Sequence, residues 1–422
     1  MPQTACLRPW GRLASALAGE SRLRLSVEQA FLDLMAVSTL LAAAGEVRVA
    51  GFAFRGWAWV SVLIVSVLLL VPNRLTRGVR CRWWLWLPWI VWMFVKTDFG
   101  LRDAAQRFFI FLTPLLALWA ASTLRNVTVQ MIRRSYRLLW VGTLAIYGIA
   151  AVQDGSPKAL TDWYSVAGTA MTFTLLTVAA LAGLRRAPAA GMAVFAISLG
   201  IMFVTESRMP VVVLPVLLVF GYRTISLRGR IVAAVVLVLL ALALFQMAPV
   251  QENLFFSGYG TLGDLVSLDP EVVNLSGRLV AWPMYLGGIE NPWLGDGSTA
   301  SVEFGQLNFG TGKWAHPHNE YIRVLFDYGV VGALLLGVPT LCLLVSLYRR
   351  SRAACGDAEV GWLYCVAVNG LIGVLLLGIS GNSLMYIAYI GNMLFATIGA
   401  TWVVRTASTT GEASYAHPAG PQ

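Results

Sequence analysis

Apolar runs of membrane-spanning length recur along almost the whole chain, and no other feature limits its possible folds as strongly. They lie near 27–44, 53–71, 83–96, 104–121, 138–152, 164–183, 189–205, 210–222, 231–250, 322–347, 361–379 and 384–404. A helix crosses a bilayer core with about 20 mainly apolar residues. Inside lipid, helices satisfy their own backbone hydrogen bonds, so successive runs of this kind predict an all-α polytopic membrane protein with about twelve transmembrane helices. Composition agrees: 58% of the 422 residues are hydrophobic and 12% charged, against about 25% charged in soluble domains. That excludes a disordered chain and nearly excludes a water-soluble fold. The five cysteines form no CxxC pair and read as small buried hydrophobes or reduced thiols.

The formal charge of +10 fits either nucleic acid or a membrane surface, and the distribution of the basic residues decides. Alternate loops carry Arg8, Arg12, Arg22 and Arg24; Arg74, Arg77, Arg80 and Arg82; Arg125, Arg133, Arg134 and Arg137; Arg185 and Arg186; Arg223, Arg228 and Arg230; Arg349, Arg350 and Arg352; and Arg405. These account for 21 of the 31 basic residues. Such alternation is the positive-inside signature. It predicts an even number of spans, both termini cytoplasmic, and no nucleic-acid partner. The first apolar run reads as an anchor.

One connection breaks the pattern of short loops. Residues 251–320 are polar, rich in Gly, Asn, Asp and Ser, and carry eight acids from Glu252 to Glu320. Hydrophobic anchors such as Phe255, Trp282, Trp293 and Phe304 predict an ordered cap, since a loop this long is functional or disordered. The expected organisation is thus about nine helices in 1–250, a large periplasmic loop carrying the active site in 251–320, about three helices in 321–405, and a disordered cytoplasmic tail in 406–422.

Histidine is the scarcest chemical signal. There are three, His316, His318 and His417, and the first two sit where the long loop enters the next apolar run. Pro317 suits a helix start, and the i, i+3, i+4, i+7 spacing of His318, Tyr321, Ile322 and Leu325 predicts one shared helical face, with His318 in the first turn at the membrane boundary, facing the interior. With an unperturbed pKa of about 6.5, histidine suits a general base. Helix capping alone is the competing reading. A metal site is not expected, because no third ligand of matching spacing lies nearby.

Ten basic residues remain outside the basic loops. Arg208 lies between two apolar runs with almost no loop, which holds its guanidinium at the outer interface, either for a ligand or beside Glu206. Arg278 follows Ser276, a candidate cap for a short helix. Arg107, inside the fourth run, needs a carboxylate or a water-filled partner, and Asp103 one turn earlier is a candidate for a structural pair. Lys313 and Arg323 rank only as supporting contacts. Arginine forks match phosphate geometry, so isolated arginines near lipid with a base close by suggest transfer from a lipid-linked phosphate or diphosphate.

The elements SRMP (207–210), GRLVAWPMYLGGIENPWLGDG (277–297) and HPHNEYIRVLFDYGVVG (316–332) together resemble the O-antigen ligase and O-antigen polymerase superfamily, over about 200 to 335. Met209 departs from the small residue usual in the first element. The resemblance implies a multi-pass, C-type glycosyltransferase of the bacterial inner membrane, working at the periplasmic face without metal or cofactor and with inversion. Its donor would be a glycan on undecaprenyl diphosphate. Its acceptor would be a lipid A-core sugar for a ligase, or another lipid-linked repeat for a polymerase. Carried over by position, Arg208 and Arg278 would bind the donor diphosphate. His318 would take the acceptor proton, His316 would orient the site or be the base itself, and Asn319 would hold His318 or a sugar. The complete HxHN element and compact length favour the ligase, with an O-antigen or exopolysaccharide polymerase next. A lipid-glycan flippase is a third reading, disfavoured because the outward charges gather around one loop instead of lining many spans.

Overall fold

The computed structural model describes residues 26–43, 48–49, 52–76, 78–154, 166–184, 187–204, 208–222, 226–267, 269, 271–274, 277–310, 315–354, 357–379 and 391–404. Arg8, Arg12, Arg22 and Arg24, the arginines at 185–186, Glu206, Ser276, Lys313 and the tail with His417 lie outside them.

Among the described residues the architecture is helical apart from a two-residue antiparallel pair, Arg48–Val49 with Phe52–Ala53, and an isolated bridge between Phe255 and Val273. Helices α1 (Val27–Ala43), α2 (Phe54–Thr76), α3 (Leu87–Lys96), α4 (Arg102–Thr123), α5 (Val129–Asp154), α6 (Val166–Ala182), α7 (Pro188–Val204), α8 (Arg208–Phe220) and α9 (Leu227–Phe245) come first. Four short helices follow: α10 (Ala248–Leu254), α11 (Leu262–Ser267), α12 (Arg278–Gly287) and α13 (Ala300–Phe309). The chain closes with α14 (Glu320–Ala353), α15 (Ala358–Leu377) and α16 (Gly391–Ala400).

Among the described residues four helices are long and apolar enough to cross a membrane: α4, α9, α14 and α15. Four shorter apolar stretches lie in α2, α6, α7 and α8. The chain is therefore an all-helical polytopic membrane protein, but the expected number of about twelve spans is not reached by this measure. The run near 83–96 is divided into a 3-10 turn, Trp83–Trp86, and the ten residues of α3. Pro88 at the second position of α3 fits that start. The last run supplies only the ten residues of α16, with 380–390 outside the described residues.

The core packs α4, α15 and α16 on α1, α6 and α8 through fully buried Leu118, Leu363, Val366, Met393, Leu394 and Leu214. Contacts between helix ends sort the bundle into two poles. At one, Arg133 pairs with Glu359 at 2.6 Å, Arg350 Nη2 donates to the Thr401 carbonyl at 3.3 Å, and Arg230 Nη2 to Gly221 at 2.9 Å. Cys81 Sγ lies 3.6 Å from Ser122 Oγ, bringing the loop of Arg80 and Arg82 to the end of α4 at this pole. The described arginines of alternate loops thus gather at one end. At the other, Glu320 N donates to Gly378 O at 2.9 Å, joining the head of α14 to the end of α15 beside the short helices α12 and α13.

Candidate functional site

Asn319 begins α14: its side-chain oxygen accepts from the backbone N–H groups of Tyr321 at 2.9 Å and Ile322 at 3.1 Å. This cap satisfies two of the helix's orphan donors. His318 therefore precedes the helix, not in its first turn as the spacing suggested, and the Asn319 oxygen serves the cap. Nor do His318, Tyr321, Ile322 and Leu325 share a buried face, because Tyr321 is exposed and gives its hydroxyl to Leu375 O at 2.7 Å. Before the cap, His318 adopts φ 49°, the one non-glycine residue with positive φ among those described. Such a conformation is held only where its surroundings impose it, and such residues cluster at functional sites.

One of those constraints is α12. Trp282 Nε1 donates to the Pro317 carbonyl, between the two histidines, at 2.8 Å. Below it Ala281 and Tyr285 pack with Ile322 and Phe326 of α14 and with Phe304 and Phe309 of α13. The Tyr285 ring is 5.3 Å from Phe304 and 6.1 Å from Phe326, and burial lifts its phenol above the usual range. This small aromatic core fixes α12 against the head of α14.

Arg278 is the first residue of α12 and half-buried, one turn from Trp282 on the same helix face. The residue before it is Gly277 in a left-handed conformation, which itself offers no side-chain cap; the expected cap, Ser276, lies outside the described residues. A cation at a helix N-terminus opposes the helix dipole, so local helix energetics do not explain Arg278.

Arg208 is likewise the first residue of its helix, α8, and its side chain lies outside the described residues. Its level in the bundle follows from the backbone. Tyr222 N donates to Asn369 Oδ1 at 2.6 Å, and Leu217 lies against Gly373. Helix α8 thus runs antiparallel to α15, which places its first residue at the pole where α15 ends and α14 begins.

His316 is half-buried, and among the described residues its Nδ1 has no hydrogen-bond partner. Burial pushes the imidazole down to about 4, helped by positive charge from Arg107, His318 and Arg323. It is therefore neutral at pH 7.

Arg107, Glu320, Arg323 and Asp327 were not recognised as a group from sequence. Glu320, Arg323 and Asp327 lie on one face of α14 and are each no more than 2% exposed. Arg323 Nε is 3.0 Å from Glu320 Oε2, and its guanidinium lies over Phe111 of α4, 5.1 Å from the ring centre. Asp327 Oδ1 accepts from Ser301 N at 2.8 Å. Arg107 Nη1 donates to Ser298 O at 3.3 Å and faces Arg323 and Asp327; Asp103 is only a minor neighbour, so the expected one-turn pair is not its main partner. The i, i+3, i+7 spacing of three charges within an apolar run was the signal available in the sequence.

The same face leads to a joint. Gly329, at φ 68° and ψ −175°, breaks α14 and separates the usual i→i−4 partners Val330–Phe326 and Val331–Asp327. The turn 291–298 supplies replacements for all four groups. Asp296 N and Gly297 N donate to Phe326 O and Asp327 O at 2.9 and 3.0 Å. Val330 N and Val331 N donate to Pro292 O and Trp293 O at 2.9 and 3.1 Å. The exchange needs two glycines: a Cβ on Gly295 would stand 2.5 Å from Gly329 N, and one on Gly329 would stand 2.5 Å from Gly295 N. Lys96 Nζ reaches Gly295 O at 2.8 Å and Trp92 Nε1 reaches Tyr328 O at 3.0 Å, tying the joint to α3. NPWLGDG and DYGVVG are therefore two halves of one structure.

Fold and site together define a helical membrane protein whose polar machinery lies at one pole, built from residues far apart in sequence. Residues 193–337 match the family model described as O-antigen ligase; this segment contains Arg208, Arg278, both loop histidines and the whole joint. The likeness is of this segment, about a third of the chain, to that family. No curated protein matches the chain.

Proposed function

We propose that the chain transfers a glycan from undecaprenyl diphosphate to an acceptor sugar hydroxyl at the periplasmic face of a bacterial inner membrane, as an O-antigen ligase. The observation that carries this reading is the strained HPHN turn, held by Trp282 and Asn319 at the pole opposite the basic loops. If the basic pole is cytoplasmic, as the positive-inside rule has it, the histidines face the periplasm.

In this mechanism the acceptor oxygen attacks the anomeric carbon on the face opposite the leaving group. The bond from that carbon to the phosphate oxygen breaks, and undecaprenyl diphosphate leaves with the electron pair. His318 takes the acceptor proton. His316, neutral at pH 7, lies beside it as an uncharged hydrogen-bonding group. Arg208 and Arg278 receive the diphosphate and stabilise its growing charge. Neither a metal nor a cofactor enters these steps. An apolar cavity of about 450 Å³ running down from Glu320 between α4, α14 and α15 suits the polyprenyl part of the donor.

The test is transfer by the purified, reconstituted chain, with lipid-linked glycan as donor and lipid A-core as acceptor. His318→Ala is expected to lower the rate by about 10²–10⁴ while the protein remains folded in the membrane. Wild-type rates from His318→Ala would overturn the assignment of the base. Products lengthened on the carrier, with none on the core, would favour the polymerase of the same superfamily. A transfer-inactive protein that moves lipid-linked glycan across vesicles would replace both with the flippase reading.

A further inference from the structure

At the basic pole, far from the histidines, a second cavity of about 240 Å³ opens between α5, α6, α7 and α15. Arg133, Arg137 and Trp140 line it from α5, Leu176 from α6, Val194 from α7 and Trp362 from α15. Along α5 the lining passes from two arginines to a tryptophan, so charge lies toward the end of the bundle and apolar surface lies deeper.

The two arginines differ. Arg133 is answered by Glu359 at 2.6 Å and stacks over Trp362, 4.8 Å from the ring centre. Arg137 is exposed, and among the described residues no hydrogen bond or ion pair engages it. A solvated arginine on a smooth surface would need no partner. This one borders a hollow whose remaining walls are aromatic and aliphatic, at the pole where lipid headgroups meet the bundle. Basic pockets between transmembrane helices of this kind suit anionic lipid headgroups.

We propose that this cavity binds an anionic phospholipid of the surrounding leaflet. Its phosphate would lie against Arg137, with Arg133 behind, and the first part of an acyl chain against Leu176 and Val194 between Trp140 and Trp362. A zwitterionic lipid brings its own cation to the same place and gains less from Arg137. Each basic residue near an anionic surface contributes roughly fivefold in binding.

The experiment uses the full-length chain in detergent. Equal amounts of phosphatidylglycerol and phosphatidylcholine with identical acyl chains are added, and the retained lipid is counted by native mass spectrometry. Wild type is expected to retain phosphatidylglycerol preferentially, and Arg137→Gln to reduce that preference by about fivefold. Ala180→Leu, which narrows the cavity without altering charge, is expected to lower retention of both lipids. Arg134→Gln, an exposed arginine outside the cavity, is expected to change nothing. Equal retention of the two lipids by wild type would overturn the proposal. So would an unchanged preference in Arg137→Gln, or an equal loss in Arg134→Gln, which would mean diffuse surface charge.

Discussion

The two poles of the bundle both carry arginine, and they handle it in opposite ways. At the basic pole the guanidinium groups stay near the surface and meet backbone carbonyls or one half-exposed carboxylate, as in Arg133–Glu359 and Arg350–Thr401. Such charge sets the orientation of a chain in its membrane and contributes little to stability. At the opposite pole Arg323 lies inside the protein with Glu320 and Asp327, and the half-buried Arg107 faces Arg323 and Asp327. Desolvating such groups costs several kcal/mol per ion, so they persist only where their partners and geometry are fixed. Identical residue types thus report topology at one pole and a built site at the other.

The joint at Gly329 is where this contrast is easiest to break. Gly329→Ala forces a side chain into a left-handed conformation and drives apart the turn that satisfies four freed backbone groups. The strain is about 1–2 kcal/mol, and each buried group left unsatisfied adds about 1–3 kcal/mol. The expected result is loss of most folded protein, read as a collapsed monodisperse peak in size-exclusion chromatography. A stable, monodisperse Gly329→Ala protein would show that the joint is not what holds the pole together.

Much of this pole could be read in the sequence, but its connections could not. The apolar runs and alternating arginines show as one-dimensional periodicity, because bilayer thickness and charge asymmetry act on consecutive residues. HPHN, Arg208 and Arg278 stand out by scarcity. Gly295 and Gly329 are 34 positions apart, and nothing local marks them as backbone partners. The start of α14 was misplaced because Asn319, not His318, has the side chain that caps. Arg107 was paired with Asp103 because one turn is the nearest distance a sequence can offer, whereas the fold brings it α14 and the 291–298 turn.

Removing one member of the buried stripe gives the next largest effect. Arg323→Ala leaves Glu320 buried with its ion-pair partner gone, which typically costs about 3–5 kcal/mol. The double variant Glu320→Gln with Arg323→Met removes both charges and is expected to recover most of that loss. Thermal unfolding of the purified protein followed by tryptophan fluorescence distinguishes the two. Arg323→Ala melting within a degree of wild type would put this pole on the same footing as the basic one.

His316 adds a pH dependence at the histidine pole. Its folded pKa, about 4, lies below the ordinary value of 6.5, so between these limits the unfolded chain binds more protons. The stability contribution is fully present above pH 6.5 and is lost as pH falls from 6.5 toward 4. His316→Gln removes this component and is expected to flatten the melting temperature between pH 7 and pH 5. An equal fall in both proteins over that range would assign the acid sensitivity to other groups.

The smallest effect is expected at Arg133 and Glu359. Their nitrogen–oxygen distance of 2.6 Å suggests a strong pair, but the side chains are 24% and 40% exposed, and pairs in water contribute about 1 kcal/mol or less. A double-mutant cycle with Arg133→Gln and Glu359→Gln isolates the coupling, and the expected value stays within that bound. Because Arg133 also stacks on Trp362, its single substitution is expected to cost more than that of Glu359, the excess persisting after Glu359 is gone. A coupling of several kcal/mol would mean that the basic pole is as dry as the histidine pole. Charge at that end could then no longer be read as topology alone.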